Sequence, residues 1–89
     1  MTPEGKIEQA FVDHCKAHGW MVRKVQWIGR VGAPDRVVIM PGGRVVWVEL
    51  KRPGVQRLRP GQRREAERLH ALGATFRVIN SLDDVRAFA

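Results

Sequence analysis

The chain has one cysteine, Cys15, so it can form neither an internal disulfide nor a cysteine-built zinc site. A reducing, cytoplasmic setting is the expectation that follows. No apolar run approaches the ~18–20 residues of a membrane span. The opening stretch MTPEGKIEQ is charged and lacks an apolar core, so no secretory signal is expected. Acids are scarce: 9 Asp and Glu face 16 Lys and Arg, a formal net charge of +7. With 44% apolar and 28% charged residues the balance is that of a globular chain, which argues against wholesale disorder. A basic surface on a folded chain fits a polyanion, nucleic acid ahead of an anionic membrane. The 89 residues allow one domain, residues 1–89. A domain this small buries only about 60% of its unfolded surface, so dimerisation would help it.

What is present reads as seven elements. Residues 2–18 carry a helical period in Ile7, Phe11, His14, Cys15 and His18, with Thr2 as N-cap, Pro3 next and Gly19 as the stop. Residues 20–28 read as a strand, and residues 29–34 as a loop. Two apolar runs, 35–40 and 44–51, surround Pro41, Gly42 and Gly43, which signals a β-hairpin. Both runs are nearly continuous in apolar residues, so both faces of these strands are expected to be buried. Residues 52–59 form a basic loop, about 60–72 a helix, and 75–79 a strand. Ser81, with Asp84 three residues on, opens a last helix that runs to Phe88. The order α-β-β-β-α-β-α predicts an α/β fold, a small mixed sheet with helices against it.

The hairpin carries the chemistry. A turn centred on Gly42 and Gly43 sets Asp35 opposite Leu50 and diagonal to Glu49, so the two carboxylates meet at the end far from the turn. Alternation puts Glu49 and Lys51 on one face. An acid closing an apolar strand needs a partner or a metal. Paired carboxylates suit Mg²⁺ or Mn²⁺. A lysine beside them can orient a water nucleophile or stabilise charge on a phosphate. An isolated E-x-K is more often a surface ion pair that ends a strand.

Gly32, Ala33, Pro34 and Asp35, followed fourteen residues later by Glu49, Leu50 and Lys51, change that balance. They resemble the two signature halves of the PD-(D/E)xK nuclease superfamily. The G-x-P-D loop, the E-L-K-R-P continuation and the helix containing Gln62 resemble its virus-type replication-repair (VRR-NUC) branch, here over essentially the whole chain. The resemblance implies a restriction-endonuclease-like core. It implies Asp35 and Glu49 as metal-ligating acids, the Leu50 carbonyl as a further ligand and Lys51 as the catalytic lysine. Relatives also carry an acid on the first helix. Glu8, eleven residues before Gly19, is the first choice and Glu4 the competitor; a solvated first-turn acid is the bland alternative for either. Gln62 matches a motif glutamine and is counted with the catalytic residues, though an exposed helix residue is its plain alternative.

Arg52, Arg57, Arg59, Arg63 and Arg64 gather around a helix start, and Arg30 and Arg36 flank the other half of the site. These seven are expected to contact phosphates without reading bases. His14 and His18 have the i,i+4 spacing of a metal pair, but no third ligand accompanies them, and they are read as structural with His70. Cys15 reads as a packed core thiol. Trp20, Trp27 and Trp47 read as packing residues, Trp27 being the one to test for DNA contact.

The expected function is a divalent-metal-dependent DNA endonuclease, with DNA rather than a membrane or a small-molecule substrate as partner. From the resemblance come a homodimer, a branched substrate such as a Holliday junction, and a phage or prophage origin. A DNA-binding module without catalysis, a nuclease-complex subunit and an exonuclease are the rival readings.

Overall fold

A computed structural model describes residues 1–88. Local signals set the helix ends. Helix α1 spans Pro3–Ala17, and the Thr2 hydroxyl accepts the Gly5 N–H at 3.0 Å. Helix α3 spans Leu82–Ala87, and the Ser81 hydroxyl accepts the Asp84 N–H at 3.0 Å. Each cap satisfies a backbone donor that the helix itself leaves free. Helix α2 spans Pro60–Ala71. Four strands, β1 Met21–Lys24, β2 Arg36–Met40, β3 Arg44–Leu50 and β4 Thr75–Ile79, form one sheet in the order β1-β2-β3-β4. The first two pairings are antiparallel; β3 and β4 are parallel, joined by the crossover through α2. The α-β-β-β-α-β-α order of the sequence reading is the order observed.

One face of the sheet makes the core. Val22, Val38, Val46 and Val48 bury against Ile7, Phe11 and Cys15 of α1. Val85 of α3 joins them, and Phe88 meets Phe11 edge to face at 4.9 Å. Phe11 is fully buried, and truncating such a residue to alanine costs about 3–5 kcal/mol.

Three expectations are corrected. The first strand does not reach Ile28. After Lys24 one further bond, Val25 N–H to the Asp35 carbonyl, extends the ladder, and beyond it the partner strand has ended. The hairpin turn holds three residues, Pro41–Gly43, with Met40 paired to Arg44. Gly42 and Gly43 have φ of 83° and 75°, the left-handed conformation that lets so short a loop close. The odd loop length shifts the register by one, so the ladder running out from Arg36 and Val48 brings Asp35 opposite Glu49, not Leu50. The strands are also not buried on both faces. Met21, Ile39 and Val45 are direct neighbours across three strands, on the side away from α1, and remain exposed. α2 packs against β4 on that second side and covers only part of it.

Candidate active site

The register brings both acids of the motif to the far end of the hairpin. Glu49 is the next-to-last residue of β3 and is 2% exposed. Alternation turns it to the α2 side, where the Gln62 side-chain amide donates to its Oε2. Lys51 Nζ lies 3.5 Å from the same oxygen. Asp35 is held from the other strand: its Oδ2 accepts the Leu50 N–H at 2.8 Å. The second carboxylate oxygen of Glu49, Oε1, is buried with no hydrogen-bond partner. Burial first, and the Asp35 charge second, push the Glu49 carboxyl up from 4.5 to about 7, against the pull of Lys51.

Gln62 is the hinge of this arrangement. It sits three residues after Arg59 at the start of α2. Its Oε1 accepts the Arg59 backbone N–H at 2.9 Å and Lys51 Nζ at 3.0 Å, while its amide nitrogen serves Glu49. One side chain thus caps the helix and orients the lysine and the buried acid together.

The loop before Asp35 is fixed by close backbone approach. Gly32 has φ of 95°, and a Cβ there would collide with the Gly61 carbonyl and stand 3.0 Å from Glu65 Cγ. Glu65, buried on α2, pairs with Arg30 at 3.3 Å and with Arg68 at 2.9 Å. The Arg68 hydrogen bond, aided by the Arg30 charge, holds its carboxyl below the usual range. Trp27 meets Trp47 edge to face at 5.8 Å and lines a cavity with Glu65. Neither Glu65 nor the Gly32–Gly61 contact was legible in the sequence. The one signal was an acid set among arginines on α2.

Glu8 stands elsewhere. It belongs to α1, on the opposite side of the sheet from Glu49, and its Oε2 accepts from Arg36 Nε at 3.0 Å. Arg36, with its side chain only 14% exposed, is occupied by that pair and is not a free phosphate contact. Among the described residues no group of three His, Cys, Asp or Glu stands together as a ligand cluster. Glu4 lines an open groove of about 600 Å³ with Lys51, Arg52, Arg57 and Arg59. Arg63 and Arg64 are exposed on the first turns of α2. The Asn80 amide donates to the Val55 carbonyl at 3.0 Å and ties the basic loop to the end of β4. His14 Nε2 donates to the Phe88 carbonyl at 2.8 Å, and His18 stacks on Trp20 at 4.5 Å. Burial raises the Cys15 thiol to about 11, so it is no nucleophile.

Among the described residues no helix is long and apolar enough to cross a membrane. A scan of protein-family models finds no match. The chain is 40% identical over 80 residues to the protein named "Putative nuclease p44" of Acyrthosiphon pisum secondary endosymbiont phage 1, across 90% of this chain and 85% of that protein. A solved structure described as a VRR_NUC domain superposes with a TM-score of 0.90 at 35% identity, covering 98% of this chain and 94% of the other. The motif halves, the element order and the whole-length likeness agree, and the chain belongs to the VRR_NUC family of nuclease domains.

Proposed function

We propose that this chain is a divalent-metal-dependent DNA endonuclease. The observation that carries the reading is Glu49: a buried carboxylate, raised to about 7, whose Oε1 has no partner and whose neighbour is a second acid. A buried carboxylate with an unpartnered oxygen beside a second acid is unfavourable, and a divalent cation between the two would relieve it beyond what Lys51 does from Oε2. The donor set, all carboxylate and carbonyl oxygen, fits Mg²⁺ or Mn²⁺. Asp35, Glu49 and the Leu50 carbonyl would hold the ion, with an acid of α1 as a further ligand. Glu8 joins the set only by opening its pair with Arg36; Glu4, which lines the same groove as Lys51, is the alternative. When bound, such an ion lowers the pKa of water and neutralises charge on a phosphate.

The protein's own groups do the rest. Lys51, oriented by Gln62, places a positive ammonium where a phosphodiester oxygen gains charge, or donates a hydrogen bond that positions the attacking water. Arg52, Arg57 and Arg59 line the groove beside it and grip the sugar–phosphate strand. Arg63 and Arg64 extend that surface along α2, and Arg30 lies on the far side of the site, partly engaged by Glu65. The exposed stripe of Met21, Ile39 and Val45 supports a homodimer, which would carry two sites for paired nicks in branched DNA.

The test is cleavage of labelled four-way junction, splayed-arm and linear duplex DNA with Mg²⁺, Mn²⁺ or EDTA, beside Lys51→Ala. Metal-dependent cutting that falls about 10²–10³-fold in the variant, with binding retained, supports the assignment. Paired junction nicks support the dimeric resolvase; release of single nucleotides from ends makes the enzyme an exonuclease. Tight binding without cleavage in any metal leaves a DNA-binding module.

A further inference from the structure

We infer that the loop of residues 28–31 is an apolar wedge that enters an interrupted base stack next to the phosphate being cut. The inference rests on the nuclease reading above and names what would give that site its preference for branched DNA. Ile28 is 95% exposed and Val31 75% exposed, on the same four-residue tip, with Arg30 between them. Single exposed aliphatics are ordinary on a protein surface, but two β-branched ones on one short loop tip are not scattered.

Nor is the loop slack. Arg30 is tied to Glu65, Gly32 is seated against the Gly61 backbone, and Pro34 is buried. A side chain on Gly61 would touch Val31 Cγ2 at 3.2 Å, so Val31 stands against the first turn of α2. That turn carries Gln62, which holds Glu49 and Lys51, and begins at Pro60, which lines the basic groove. The loop itself runs into Asp35. Val31 therefore stands beside the helix end that borders the phosphate groove, on a loop that leads directly into Asp35, and Ile28 projects into solvent from the same tip.

The occupant follows from charge and shape. The chain carries a net charge of +7, and the tip carries an arginine between its apolar residues. A nucleic acid is drawn to such a surface by its charge. Arginine on a phosphate with an aliphatic between base steps is how proteins pry stacked bases apart. Unstacking is least costly where the stack is already broken, at a branch, nick or mismatch. An intact duplex resists the wedge, and a branch point admits it.

The experiment compares the wild type with Ile28→Ser/Val31→Ser and, as a control elsewhere on the surface, Leu82→Ser. The two probes are a four-way junction and a duplex of the same sequence, with 2-aminopurine placed at the branch. The wild type is expected to raise the 2-aminopurine fluorescence on binding the junction in EDTA, and the double variant to lose that rise. In Mg²⁺ the junction-to-duplex cleavage ratio should fall about tenfold in the double variant, and remain unchanged in Leu82→Ser. An unchanged ratio and fluorescence overturn the wedge. So does an equal loss on both DNAs, which would make the loop a support for Asp35. A shift of the double variant from dimer to monomer in sedimentation, with the fluorescence rise retained, assigns the loop to an interface instead and also overturns it. If the wild type cuts nothing in any metal, the nuclease reading fails by itself, and the fluorescence in EDTA still decides for or against the wedge.

Discussion

Replacing Glu49 by glutamine is expected to stabilise the metal-free protein while abolishing cleavage. The carboxylate is 2% exposed, one oxygen has no partner, and its carboxyl is raised from 4.5 to about 7 by burial and by Asp35. The folded chain thus holds this proton more tightly than the unfolded chain. The sign follows: the stability tied to Glu49 is full below pH about 4.5 and is lost as pH rises through about 7. At about 1.4 kcal/mol per tenfold change in acidity, the loss has a ceiling of about 3 kcal/mol at pH 8. Lys51 and Gln62 both lie on Oε2, and a glutamine there keeps a carbonyl oxygen for them, so the variant sheds the charge without emptying the space. Even a third of the ceiling, about 1 kcal/mol, moves Tm by about 4–8 °C in a domain of this size. Thermal melts in EDTA at pH 5 and pH 8 would check it. The variant should gain on the wild type between the two pH values, and added Mg²⁺ should stabilise the wild type alone. A variant that melts at or below the wild type at pH 8, with the same difference at pH 5, refutes the argument that Glu49 is buried as an unfavourable charge.

Other consequences are more local. Gly32→Ala, at φ of 95° and against the Gly61 carbonyl, should cost about 1–3 kcal/mol in strain, read as a lower Tm, together with a loss of cleavage as Asp35 shifts. Arg57→Ala should weaken binding to every DNA alike and lower the slope of log K against log salt by about 1, measured by fluorescence anisotropy. Cys15, raised to about 11 by burial, should resist alkylation by iodoacetamide at pH 8 in the native chain and react once guanidinium unfolds it, followed by mass spectrometry.

The sequence determined on its own whatever depends on near neighbours. Thr2 and Ser81 name their helix starts because a cap acts within three residues. Pro41, Gly42 and Gly43 announce a hairpin because a turn is local chemistry. Pro34-Asp35 and Glu49-Leu50-Lys51 mark the two ends of that hairpin, and the structure brings those two ends together, because pairing strands at all suffices for it. Only the tertiary structure decided what depends on a partner far along the chain. β1 ends near Lys24 because β2 begins at Arg36 and offers nothing further to pair, not because residues 25–28 lack strand character. The register moved by one because the turn closed with three residues, and a one-residue step changes which acid faces which. Met21, Ile39 and Val45 look like core residues in sequence and are exposed because α2 covers the other half of their face. Glu8 and Arg36, read apart as a ligand and a phosphate contact, hold one another because α1 lies against the face of the sheet that carries Arg36. Gln62 took Lys51 and Glu49 as partners, and Gly32 its seat on Gly61, from the way α2 returns over β4. Periodicity and motif spacing report which side chains share an element. Which elements meet, and at what offset, is settled by burial and close packing across the whole domain.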